Sequence, residues 1–224
     1  KYYNLYLRFV NVTNAKNEQP NNNDCTTTVA IRVDASTRMG TGHVMRCLTL
    51  ATKLKKHGVN VIFLSKKHQG SLNQLITLKG FELAELSAPI QNIENQTDEK
   101  LWLGCSFQDD ANECLQALKN LTINLLIVDH YSLDEHWQKL IRNKLTLTKI
   151  MVIDDLANRQ HDCDILLDQT LGREASDYRM LVPNDCQLLL GADFIMLRDE
   201  FLQNRSLAKS NRKDRINTLD IKSI

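Results

Sequence analysis

Proline and glycine are scarce in this sequence, 3 and 8 among 224 residues, which excludes collagen-like repeats. Neither sign of charge prevails. With 28 Lys+Arg against 27 Asp+Glu and a formal net charge of +1, there is no electrostatic case for nucleic acid or an anionic membrane as partner. No apolar run approaches the ~20 residues that span a bilayer. Residues 2–10 are hydrophobic, but their Tyr, Asn and Arg content does not make a signal-peptide core. The expectation is a soluble, cytoplasmic protein. The six cysteines, at 25, 47, 105, 114, 163 and 186, include no Cys-x-x-Cys pair. They are read as reduced, small buried or half-buried hydrophobes and not as a disulfide framework. Zinc is equally unpromoted, because His161-Asp162-Cys163 has no second pair at structural-site spacing.

What is present is globular composition, 42% apolar and 25% charged, which argues against wholesale disorder or a coiled coil. Residues 1–28 stand apart. Segment 2–10 could form a strand, but 14–24 is polar and Asn-rich, with too little to bury. The sequence opens on Lys, and 1–28 is read as a flexible appendage. From residue 29, short β-branched runs alternate with helical periodicity. Strands are expected at 29–33, 59–64, 81–86, 123–128, 149–153, 164–167 and 187–190. Helices are expected over 44–54 with Gly58 as the stop, over 71–79, from Asp109-Asp110 to about 119, over 175–181 and over 198–208. Ser132-Leu133-Asp134-Glu135 reads as a capping box opening a further helix to about 145. Segment 87–105 is irregular. Strands alternating with crossover helices imply a Rossmann-like α/β fold with a mostly parallel sheet over 29–210. Residues 211–224 read as a linker.

In an open parallel sheet, ligands bind outside the carboxyl ends of the strands. Three polar clusters fall there: residues 32–43 with Gly40, Gly42 and His43; Asp129-His130-Tyr131; and Asp154-Asp155. The glycine segment is not a P-loop, since Gly42 is followed by His43-Val44 and not by Lys-Ser/Thr. It is not a dinucleotide fingerprint either, because position 45 is Met and the second strand runs out at Ser65. What remains is a glycine turn that puts His43 at a helix N-terminus. That position favours a neutral imidazole and suits a general base. A capping or packing histidine is the alternative. Asp129 and Asp155 can hold loop backbone as well as substrate.

One family resembles this pattern. Arg32-x-Asp34-x-Ser36-x-x-x-Gly40-x-Gly42-His43-x-x-Arg46, then Asp129-His130-Tyr131, Asp154-Asp155, residues 163–167 and Leu197-Arg198-x-Glu200-Phe201 look like the UDP-2,4-diacetamido-2,4,6-trideoxy-β-L-altropyranose hydrolases of pseudaminic acid biosynthesis. The resemblance implies the N-terminal, sugar-side half of a two-domain GT-B-type fold. It implies a UDP-sugar substrate, no metal and no cofactor. Water would attack the anomeric carbon with inversion, with His43 as base and Tyr131 lining the sugar pocket. Gly40, Gly42, Asp129, Asp155 and Arg198 are the other candidate substrate contacts; Arg198 would reach a phosphate or pair with Glu200. In that family UDP is held mainly by a C-terminal domain. The 224 residues are therefore expected to bind UDP poorly and turn over slowly alone. A GT-B glycosyltransferase and a non-catalytic sugar-binding half-module are the alternatives. No oligomeric state is implied.

Overall fold

The computed structural model describes residues 27–196 apart from 92 and 94. The candidate strand at 2–10, the helix at 198–208, the linker at 211–224 and Arg198 lie outside the described residues. In chain order the elements are β1 (Thr28–Val33), α1 (Gly42–Lys56), β2 (Asn60–Lys66), α2 (Asn73–Leu78), β3 (Glu82–Leu86), α3 (Phe107–Leu118), β4 (Leu125–Asp129), α4 (Glu135–Lys144), β5 (Lys149–Ile153), β6 (Ile165–Asp168) and β7 (Gln187–Leu190). Among the described residues the strands form one seven-stranded sheet in the order β3-β2-β1-β4-β5-β6-β7. Every pairing is parallel. The fold is Rossmann-like α/β.

Strand residues alternate between faces, and here each face has its own core. Val29, Ile31 and Val33 of β1 and Leu125 and Ile127 of β4 pack with Val44, Cys47, Leu48, Ala51 and Leu54 of α1. Ala30 of β1 and Leu126 and Val128 of β4 pack on the other face with Ala111, Cys114 and Leu118 of α3 and Trp137 and Ile141 of α4. Every residue of β4 is buried, as the near-continuous apolar run requires of a strand covered twice. The strand order reverses between β1 and β4, with β2 and β3 added on one side and β5 to β7 on the other, and the β1–β4 register pairs Val33 with Asp129. That switch point opens the crevice in which such sheets bind ligands.

Three local expectations are corrected. The helix after β4 is capped by Asp134, whose side chain accepts from the His136 amide. Ser132 is engaged elsewhere: its hydroxyl donates to the Glu99 carbonyl at 2.6 Å and accepts from the Leu103 amide at 3.1 Å. The helix at 175–181 contracts to a single 3-10 turn, Ala175–Asp177, because Tyr178 is drawn into the second core. The helix expected from Asp109 starts earlier, at Phe107, with the Ser106 side chain accepting from the Asp109 amide.

A buried charge cluster floors the first loop. Arg32, fully buried on the α3 face, donates to both oxygens of Asp34 (2.6 and 2.9 Å) and to both of Asp110 (3.1 and 2.6 Å). Asp34 also accepts from the Lys66 amide at 2.7 Å, tying the ends of β1 and β2 together. Burial alone would raise both carboxyls. The Arg32 guanidinium opposes it and holds them below the ordinary carboxylate range.

Candidate functional site

The segment between β1 and α1 is a compact turn. The Gly40 amide donates to the Ser36 carbonyl at 2.9 Å, and Gly40 adopts φ +75, a conformation only glycine takes at no steric cost. Ser36 Oγ accepts from the amides of Arg38 (3.2 Å) and Met39 (2.9 Å). Side chains added at Gly40 or Gly42 would meet nothing within 4 Å, so the turn borders open space. The loop after β2 braces it from behind, with the Thr37 amide donating to the Gln69 carbonyl at 2.9 Å.

Gly42 is the first residue of α1, so His43 enters the first turn, with Arg46 and Cys47 one turn further on the same face. Asp129 follows Leu125 and Ile127 in the β4 alternation and therefore leaves the sheet toward α1. There His43 Nδ1 lies 2.6 Å from Asp129 Oδ1. Arg46 Nε donates to Asp129 Oδ2 and Arg46 Nη2 to Asp129 Oδ1, both at 2.6 Å. Arg46 Nη1 donates to Asp155 Oδ2 at 2.9 Å, and Cys47 Sγ donates to Asp129 Oδ2 at 3.4 Å. Burial acts to raise the Asp129 carboxyl, but the Arg46 guanidinium and then His43 overcome it and hold Asp129 well below the usual range. An ionised carboxylate only accepts, so the proton in the short contact belongs to His43 Nδ1. In the neutral imidazole, Nε2 then carries the lone pair. The His43 side chain keeps 10% of its surface exposed while Asp129 keeps none.

Tyr131 stands edge-on to His43, ring centroids 4.6 Å apart. Burial, and then the neighbouring Asp155 carboxylate, push its phenol above the ordinary range. Trp102 packs 5.9 Å from Tyr131, and the Arg159 guanidinium lies over the Tyr131 ring at 5.7 Å. Trp102 Nε1 and Arg38 Nε both donate to the Gln96 carbonyl, at 3.1 and 2.7 Å. Arg159 is held by Asp154 at 2.9 Å.

The structure therefore brings together His43, Tyr131, Asp129 and Asp155 beside the glycine turn, while Arg198 lies outside the described residues. Both oxygens of Asp129 are engaged with His43, Arg46 and Cys47. Sequence reasoning passed over Arg46, Trp102 and Arg159 as site residues. Arg46 carried a signal, since it sits three residues after His43 in a helix. Trp102 and Arg159 come from irregular segments, where no periodicity says which way a side chain points. Among the described residues, no group of three or more His, Cys, Asp or Glu side chains is arranged to hold a metal ion. No described helix is long and apolar enough to cross a membrane.

No protein-family model matches the chain. It is 31% identical over 185 residues to the UDP-2,4-diacetamido-2,4,6-trideoxy-β-L-altropyranose hydrolase of Campylobacter jejuni, an alignment covering 83% of this chain and 56% of that protein. It is 27% identical over 196 residues to an uncharacterised protein of Methanocaldococcus jannaschii, covering 85% of this chain and 35% of the other. The chain thus spans about half or less of the length of the curated relatives it matches. Among solved structures, Acinetobacter baumannii MurG superposes with a TM-score of 0.46 at 13% identity, over 73% of this chain and 44% of that one.

Proposed function

We propose, from the 31% identity over 185 residues to the UDP-2,4-diacetamido-2,4,6-trideoxy-β-L-altropyranose hydrolase of Campylobacter jejuni, that this chain belongs to that hydrolase's family and that its site supplies the acid–base half of a UDP-sugar hydrolysis. The observation that carries the reading is the 2.6 Å contact of His43 Nδ1 with Asp129 at the switch point of the sheet. It leaves Nε2 as the ring nitrogen able to take a proton from water. The water oxygen bonds to the anomeric carbon as the bond from that carbon to the UDP oxygen breaks. The water's proton goes to His43 Nε2, and UDP departs with the electron pair. Attack from the face opposite the leaving group gives inversion.

His43 is the catalytic residue in this reading. Tyr131, with Trp102 and Arg159 behind it, lines the sugar side, and the open space over Gly40 and Gly42 admits the substrate. Asp129 orients the base and does not touch substrate. The sheet serves as the sugar-side half of a GT-B-type arrangement, with the uridine diphosphate held largely by groups outside the described residues. The test uses the protein expressed from its whole reading frame, supplied with the altro-configured UDP-sugar in ¹⁸O-water. UDP release with ¹⁸O in the free sugar and none in UDP is expected. Transfer of the sugar to an added acceptor without hydrolysis, or no UDP release from a folded protein, overturns the proposal.

A further inference from the structure

We propose that Arg46 is the positioning residue of this site: it fixes the carboxylate that fixes the histidine, and so decides which ring nitrogen of His43 is left to accept a proton. Only the use made of that nitrogen rests on the hydrolase reading. The choice of tautomer is a property of the chain itself.

Two bonds compete for His43 Nδ1. It can donate to Asp129 Oδ1 at 2.6 Å, or it can accept from Arg46 Nη2 at 3.2 Å. The first requires a proton on Nδ1 and frees Nε2; the second requires the reverse. The donor bond is the shorter and is charge-assisted, so it wins as long as Asp129 stays ionised and in plane. Arg46 secures both conditions. Its Nε and Nη2 grip the two Asp129 oxygens in a parallel fork, each at 2.6 Å. Its third arm, Nη1 to Asp155 Oδ2 at 2.9 Å, anchors that fork to the residues following β5. Without the guanidinium, Asp129 Oδ2 would retain only the Cys47 thiol at 3.4 Å, a weak donor. The carboxylate would then be free to turn out of the imidazole plane, and burial would favour its protonated form, whose hydroxyl can donate to Nδ1 and so select the opposite tautomer. Lysine does not substitute, because one ammonium cannot span both oxygens and a second carboxylate in a fixed plane.

The experiment is a long-range ¹H–¹⁵N correlation of the histidine rings in the 224-residue chain, at alkaline pH where imidazoles are neutral, with His43 assigned by His43→Gln. The wild type is expected to show Nδ1 at the protonated shift and Nε2 at the unprotonated one. In Arg46→Met and Arg46→Lys the two shifts should converge as the tautomers mix, while backbone amides remote from the site stay in place. Asp155→Asn, which leaves the fork on Asp129, should keep the wild-type pattern. Arg46→Lys serves if the Met variant does not fold. A folded Arg46 variant with the wild-type shifts, or a wild type already protonated at Nε2, overturns the proposal. Loss of UDP release by the wild type would sink the hydrolase reading and leave the ring shifts standing.

Discussion

Asp129 and His130 are consecutive residues that serve opposite faces of the sheet. Asp129 turns toward α1 and bonds His43. His130 turns to the other face, where its Nε2 lies 3.4 Å from Asp34 and its Nδ1 accepts from the Ser132 amide at 3.0 Å. One strand end thus supplies the site with its orienting carboxylate and the loop beneath it with a brace. The period of two along β4 sets this division.

Replacing Asp129 with Asn should therefore strike the chemistry more than substrate binding. The amide can donate to His43 Nδ1, which favours the wrong tautomer and puts a proton on the nitrogen that must accept one. A fall in kcat of about 10³- to 10⁴-fold with little change in KM is expected. Steady-state UDP release by the whole-reading-frame protein measures both constants, and a near-normal kcat would remove Asp129 from its role.

Arg32→Met should destabilise the fold by about 3–5 kcal/mol, because two buried carboxylates lose their common partner. The pH dependence should also change sign. In the wild type, Asp34 and Asp110 lie below the usual carboxylate range, so their contribution is present above the unfolded value of about 4 and is lost as pH falls. In the variant, burial is no longer opposed by the guanidinium and both carboxyls move above that value. Stability then declines as pH rises from about 4. Urea midpoints at acid and neutral pH should show the gap between the two proteins widening with pH; a constant gap counts against this account.

His161 predicts an acid-sensitive step of different origin. Burial, and then the nearby Arg159 charge, push this histidine down to about 4. The unfolded chain therefore binds its proton first. The neutral ring contributes fully above about 6.5, and the contribution is lost as pH falls from there toward the folded value, by roughly 3 kcal/mol in all. His161→Gln should flatten the stability curve across that window. Chemical denaturation through the range tests it, and an unchanged slope would place the acid transition elsewhere.

Gly70 and Gly58 separate backbone strain from crowding. Both adopt positive φ, but a Cβ at Gly58 would meet nothing within 4 Å, whereas one at Gly70 would come within 2.9 Å of Thr37 Cγ2 and 3.0 Å of the Thr37 amide nitrogen. Gly58→Ala should cost about 1 kcal/mol from strain alone. Gly70→Ala should cost more, about 2–3 kcal/mol, and should also lower activity by displacing the turn that Thr37 anchors. Denaturant midpoints of the two variants decide this, and equal costs would mean that the brace yields freely.

Much of this was legible in the sequence. Every strand of the sheet except the edge strand β3, which carries Glu82 and Glu85, follows from a short β-branched or apolar run, and the switch-point rule alone puts His43 and Asp129 on the same sheet edge. Their pairing is written in two periodicities: Asp129 shares parity with Leu125 and Ile127, and His43 shares a helical stripe with Cys47. The Asp134 cap was hidden because Ser132 satisfies the same spacing rule, and only the tertiary contact with Glu99 and Leu103 decides between them. Trp102 and Arg159 were hidden because their segments have no repeat that fixes side-chain direction. Tyr178 was mistaken for part of a helix. Its hydroxyl lies 2.8 Å from both Asp154 and Asp168, a three-way junction that local propensity does not encode.

The Val33–Asp129 register across adjacent strands has a mechanical consequence. Asp129 sits opposite the last residue of β1 in the ladder, and His43 lies in the first turn of the helix into which β1 leads and which packs on the same sheet face, so their spacing is set by backbone hydrogen bonds and core packing that no substrate disturbs. Trp102 and Arg159 hang from separate connecting segments that share none of those bonds. Recognition and proton transfer are thus independently adjustable parts: the wall can be recut for a different sugar while the acid–base pair keeps its span.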